Sequence, residues 1–336
     1  MAFRVLKGFS GIKMKTNRLF LGAAIVGAMM TCANAADARS YVAGNFALEL
    51  DGVNAGFVRS VDGGDLAADV VSLTEGTDNV EKKSIGNVRY EDFNIQIGAT
   101  MGKAVYDWVS DTFDKKAPRK NGAIIAADFN YKTKQRGEFQ EALITEVTIP
   151  ACDGASKDPA YLGVKFSPES VRWTAGDGKT VNVPKVVKQK PWLPSNFKLE
   201  IAGLDCSKVS KVDSFTIKQK VTEDSAGISR DTIKIPGKIE YPNLHITLAE
   251  ASAKSWLDWA DNLIVKGNST DDQEKEGKLT FYTPDLSEEL VRVTFHHLGI
   301  CKVHRSLSSG KDAIATITVD LYVESMEIDF MAQFEK

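Results

Sequence analysis

Histidine is scarce in this chain: four occur in 336 residues, at 245, 296, 297 and 304. The first two thirds therefore hold no imidazole for acid–base or nucleophilic chemistry of the Ser-His kind. His245 alternates with Leu244 and Ile246, so in a strand it faces solvent. His296 and His297 are adjacent, so in a regular strand they point to opposite faces and cannot both ligate one metal from that strand. No serine stands in a nucleophile-elbow setting. Gly178-Lys179-Thr180 ends like a phosphate loop, but Trp173 occupies the place of its first glycine. No catalytic, cofactor-binding or metal-binding residue set is expected. The acidic stretch Asp271, Asp272, Glu274, Glu276 reads as a solvated loop tip.

Excess positive charge is also missing. The net charge is −3, from 42 Lys and Arg against 45 Asp and Glu. A general nucleic-acid binder gathers cations to meet phosphate, so that class is disfavoured. Cysteine is sparse, with Cys32, Cys152, Cys206 and Cys301. The last three are an odd number, so at least one thiol is unpaired within the chain. A Cys206–Cys301 bridge and two buried free thiols both remain open.

No apolar run is long enough for a comfortable membrane span, which needs about 20 residues. The longest, Leu19–Met30, follows Lys13, Lys15 and Arg18 and precedes Ala33-Asn34-Ala35. Positive flank, short apolar core and small-x-small site are the parts of a secretory signal peptide. Residues 1–35 are read as that signal, starting at Met1 or Met14. Cleavage after Ala35 implies export to the periplasm or beyond, with no membrane association afterwards.

What the chain has is repetition. Phe46–Asp62 returns as Phe197–Asp213, a shift of 151 positions, and Gly86–Trp108 returns as Gly237–Trp259 at the same shift. Two modules are expected, at 41–173 and 197–330. Between them, 174–196 is read as a linker carrying Pro184, Pro191 and Pro194. As a flexible chain it spans about 25 Å.

Each module repeats one order of patterns. An alternating strand comes first, with Phe46, Leu48 and Leu50 on one face and Phe197, Leu199 and Ile201 in the copy. Next comes a strand stretch whose phase slips by one residue between Tyr90 and Phe93, and again near Pro242-Asn243, which calls for a bulge or kink. The period then becomes helical. Met101, Ala104, Val105, Trp108, Val109 and Phe113 share a face, as do Ala253, Trp256, Leu257, Ala260, Leu263 and Ile264. Trp108 and Trp259 are expected to plug helix against sheet. Strands resume with Phe139, Ala142, Ile144 and Val147, matched by Phe295, Leu298, Ile300 and Val303. The fold class expected is mainly β: two tandem antiparallel sandwich or barrel domains, each with one flanking helix.

The run Lys234-Ile235-Pro236-Gly237-Lys238-Ile239-Glu240-Tyr241-Pro242-Asn243, followed by Leu244, Ile246, Leu248 and a helix bearing Trp259, resembles the tail-tube family of contractile phages and injection machines. Ser84-Ile85-Gly86, Gly98 before the helix, and Thr145–Pro150 carry the likeness through the first module. The resemblance implies a structural, non-enzymatic, self-assembling protein without a cofactor. It implies six-module rings, here from three two-module chains, stacking into a hollow tube, with sheath and baseplate proteins as further partners. It also implies an alternative to export, namely cytoplasmic assembly into a phage-tail-like particle. The competing reading is a secreted β-sandwich binding module for carbohydrate or a surface partner. Most aromatics sit at core-facing positions, which disfavours it; Trp192, in the linker, is the exception.

Overall fold

Strand order and burial follow the two sequence periods closely. The computed structural model describes residues 44–73, 80–99, 101–181, 192–224, 232–306 and 315–331. All lie in the unit Tyr41–Lys336. The signal-like segment 1–35, with its Ala35 site, falls outside the described residues.

The first repeat contains β1 (Asn45–Leu50), β2 (Val53–Val58), β3 (Ser60–Gly63), β4 (Leu66–Leu73), β5 (Lys82–Tyr90), β6 (Phe93–Ile97), α1 (Lys103–Phe113), β7 (Lys120–Ala127), β8 (Thr133–Ile149), β9 (Cys152–Asp153), β10 (Leu162–Ser167) and β11 (Ser170–Ala175). The second contains β12 (Phe197–Ile201), β13 (Val209–Val212), β14 (Phe215–Asp224), β15 (Ile233–Glu240), β16 (Leu244–Ala249), α2 (Lys254–Ala260), β17 (Lys275–Tyr282), β18 (Glu289–Ser306) and β19 (Thr316–Phe330). Among the described residues the architecture is mainly β, one principal helix per repeat.

Pairing is antiparallel throughout. In the second repeat the order is β12-β17-β18-β19-β16-β13, with β9 of the first repeat at the end. The first repeat runs β2-β1-β7-β8-β10-β6-β3, with β11 also on β8. Where β19 is one strand, the first repeat has two, β10 and β11. Pro168 stands at the break, and a proline has no N–H for a ladder.

Even the irregularities repeat. In β8, Lys120 opposes Ala142 and Gly122 opposes Phe139, which leaves one extra residue on β8. In β18, Lys275 opposes Leu298 and Gly277 opposes Phe295, the same defect. Glu141 (φ 49°) and His297 (φ 55°) take the left-handed conformation there. A bulge bends the strand and raises its twist, which lets one long strand serve two partners in succession.

The slip between Tyr90 and Phe93 is not a bulge within one strand. β5 pairs with β4, whereas β6 pairs with β3 and β10. The chain leaves one sheet and enters another across Glu91-Asp92, so the inward face is reset. The same break separates β15 from β16.

Period-two burial holds in the strands that position the core. Leu162, Val164 and Phe166 are buried in β10, and Leu244, Ile246 and Leu248 in β16. Trp108 is 1 % exposed, its ring 5.5 Å from Phe166, and its indole N–H donates to the Pro118 carbonyl at 2.9 Å. Such a ring contributes large apolar area while its polar edge stays satisfied. α1 also buries Tyr106 and Thr112, polar-tipped residues that the apolar periodicity did not mark. Tyr106 Oη accepts from the Met101 N–H and donates to the Gly98 carbonyl, and burial pushes its phenol up. α2 is shorter and passes into a wider π-turn, Asp261–Val265. That turn rotates Ile264, expected inside, out to 50 % exposure.

Candidate functional site

The two repeats are joined by strands as well as by chain. β14 of the second repeat lies along the second half of β8 in the first, with Phe215 opposite Ile149, Ile217 opposite Val147 and Lys218 opposite Glu146. β13 pairs with β9. On the other side, α1 packs on β19: the Ser110 hydroxyl donates to the Ile328 carbonyl at 2.9 Å, and the Tyr106 and Phe330 rings are 4.6 Å apart. One apolar core cluster continues through both repeats.

The polar centre of this junction is Lys234, only 4 % exposed. Its backbone N–H donates to Glu169 at 2.8 Å, and its carbonyl accepts from Arg119. Its ammonium donates to the Ser167 hydroxyl and lies 3.6 Å from Glu223 and 3.9 Å from Asp92. Arg119 is in turn paired with Glu169. A buried cation is tolerable only with such a set of partners.

Hairpin β4–β5 is the first repeat's version of β14–β15, but among the described residues its two strands pair only with each other. It exposes Leu66 (70 %), Val70 (61 %) and Ile85 (65 %). At the opposite end, β17 covers β18 only as far as Leu298. Beyond it, Gly299–Ser306 pair with β19 alone among the described residues. Among the described residues, one unit thus carries a hairpin and a strand edge to which no further strand is added, both invitations to strand addition.

Beside that open edge is a second polar cluster. Glu274, His297 and Glu324 bring ligand-type atoms within 4.8 Å of one another. His297 Nδ1 is 2.9 Å from Glu274, and the Tyr322 hydroxyl donates to Glu274 at 2.7 Å. Gly299 makes the approach of Tyr322 feasible, since a Cβ there would meet the ring at 2.0 Å. The phenol of Tyr322 is pushed up to about 12, by burial first and by Glu274 second. The Glu274 carboxylate holds the His297 imidazole above its ordinary value. His296 makes its own pair with Glu276 at 2.6 Å.

Several sequence expectations change here. Glu274 is not part of a solvated tip: its side chain is 8 % exposed. The bulge at His297 also removes the simple alternation on which the separation of the two histidines was argued. His245 is exposed as expected, 2.7 Å from Asp320. All three described cysteines are free; Cys152 is buried, Cys206 half-buried and Cys301 exposed, so the expectation of two buried thiols fails at Cys301. Trp192 is not an exposed platform but is 3 % exposed, edge-on to Phe281 at 4.9 Å. Lys179 pairs with Asp177 at 3.0 Å, and Thr180 bridges to Lys132 at a strand edge. Among the described residues no helix is long and apolar enough to cross a membrane.

Comparison with known proteins agrees with the repeated architecture. Residues 42–190 and 193–327 each match the family model of the T4-like virus tail tube protein gp19. Among solved structures, the sheath–tube complex of an extracellular contractile injection system in its extended state has a chain 19 % identical to this one. That match covers 41 % of this chain and 94 % of that one, at a TM-score of 0.37. Hcp1 from Flavobacterium johnsoniae is 12 % identical over 40 % of this chain and 95 % of that one, at a TM-score of 0.25. No curated protein sequence matches the chain. The double family match, spanning nearly all of both repeats, carries the assignment. The chain belongs to the T4-like virus tail tube protein gp19 family, a family of structural tube proteins, and holds two of its modules in tandem.

Proposed function

We propose that this protein is a tube subunit whose two modules occupy adjacent places in a ring, three chains closing a six-module circle that stacks into a hollow tube. One observation carries the reading. β8 and β14 already make a module-to-module junction within the chain, and the chain ends in the two halves of another: hairpin β4–β5 and the edge of β18. Repeating that junction between copies covers both, and closing the circle leaves no unpaired rim within the ring. Sheath-like and baseplate-like proteins are the proposed outer and terminal partners. Native mass spectrometry and electron-microscopy class averages test the ring. A trimeric mass with six-fold-like views is expected; a stable monomer at micromolar concentration overturns it.

Export is proposed on the signal-like segment, with cleavage after Ala35. Sequencing the mature N-terminus tests it: a chain beginning at Ala36 supports export, and one retaining Met1 or Met14 supports cytoplasmic assembly.

A further inference from the structure

The cluster around Glu274 has a counterpart in the first repeat, and that counterpart is filled. Matching the bulges and strand registers superimposes Arg119 on Glu274, Glu141 on His297, Ser167 on Tyr322 and Glu169 on Glu324. In the first repeat Arg119, Ser167 and Glu169 hold Lys234, delivered by β15 of the following module, while Glu141 lies 3.9 Å from Arg119. In the second repeat no lysine of a following module enters among the described residues: His297 and Glu324 are exposed, and Glu274 is held by His297 and Tyr322.

The residue equivalent to Lys234 is identified just as directly. Hairpins β4–β5 and β14–β15 share one register and one defect: the shift between Ala68 and Val70 corresponds to that between Gln219 and Val221. Ser72 opposes Lys83 as Glu223 opposes Lys234. Lys83 is exposed, next to exposed Lys82. Leu66, 70 % exposed, corresponds to Ile217, which is 0 % exposed opposite Val147; Val303 is the counterpart of Val147. An open site holding two carboxylates and a hairpin offering two lysines are complementary in charge.

We propose that Glu274, His297, Tyr322 and Glu324 form a socket for Lys83 of a second copy of this chain, whose β4 lies along β18 with Leu66 facing Val303. The inference rests on the ring reading and adds to it the register and the ion pair. The intermolecular junction is chemically distinct from the internal one. Glu274 replaces Arg119 and His297 replaces Glu141, so the basic group sits on the bulge in the second socket and on the neighbouring strand's side in the first. Glu324 is placed to accept the Lys83 backbone N–H as Glu169 accepts that of Lys234, and the ammonium enters beside Tyr322 and Glu274.

The test uses the full chain. Unlabelled and 15N-labelled protein are mixed, allowed to associate, and treated with a carbodiimide, which joins a lysine amine to a carboxylate in direct contact. Mass spectrometry is expected to find mixed-isotope links from Lys83 or Lys82 to Glu274 or Glu324. Lys83→Glu should weaken association by about tenfold or more, and Glu324→Lys in the same chain should recover it in part. Both positions are exposed, so unchanged circular dichroism will show that folding is intact. Oligomers that form without these links, or that are indifferent to Lys83→Glu, overturn the socket while leaving the ring. A wild-type chain that stays monomeric overturns the ring reading itself. Zinc held by the cluster within assembled oligomers also overturns the socket, since the lysine and the metal compete for the same carboxylates.

Discussion

Hairpins β4–β5 and β14–β15 are the same device in two settings. They match in register, bulge position and the lysine on the second strand. One is laid on β8, with Ile217 and Lys234 buried; the other carries Leu66 and Lys83 in solvent. Nothing local to the hairpins accounts for that difference. Burial is conferred by the neighbouring module in one case; in the other, the proposed ring assigns that role to another copy. On the proposed ring, the exposed apolar strand is half of a contact that the chain already shows complete between β8 and β14.

The sharpest way to break this comparison is to put a carboxylate at each apolar position. Ile217→Asp places a charge in the core and should cost about 4 kcal/mol or more in denaturant unfolding, whereas Leu66→Asp should stay within about 0.5 kcal/mol in the unassembled chain. Equal losses would mean the free hairpin is already packed. Next in size is the lysine pair. Lys234→Met strips Ser167, Asp92 and Glu223 of their shared partner and should cost about 1–3 kcal/mol, while Lys83→Met should leave unassembled stability unchanged.

Thiol labelling sharpens the comparison at the open edge. Cys301 should react first, Cys206 more slowly and Cys152 only on unfolding, with assembly slowing Cys301 because it adjoins the residues proposed to pair. Burial pushes all three thiols up, so rates should climb as pH rises toward the thiol range. The smallest effect expected is on pH dependence. Glu274 raises the His297 value in the folded chain, so its stabilising contribution is complete below the unfolded histidine value of about 6.5 and fades as pH rises through the elevated one. His297→Gln should flatten that stretch of the stability curve.

Most of this fold was legible in the chain because its signals are local. The alternation through Leu199 and Ile201 and the helical spacing through Trp108 both survive in the burial. What escaped reading depends on contacts distant in sequence. The slip at Glu91-Asp92 predicted a discontinuity, but not that β5 and β6 belong to different sheets. Glu274 looked solvated because its partners, His297 and Tyr322, come from two other strands. Trp192 sat among prolines, and only the distant Phe281 explains its burial. Ile264 kept its helical spacing, yet a π-turn rotated it away. The junction between β8 and β14 left no trace in either strand's own pattern, since any edge strand with one apolar face reads alike.

Covalent fusion of the two modules also sets an arithmetic rule on closure. A circle built from such chains always contains an even number of modules, so five- and seven-membered miscounts are forbidden by the polypeptide itself. Every second seam is permanent, and any opening for growth, repair or capping must occur at the others.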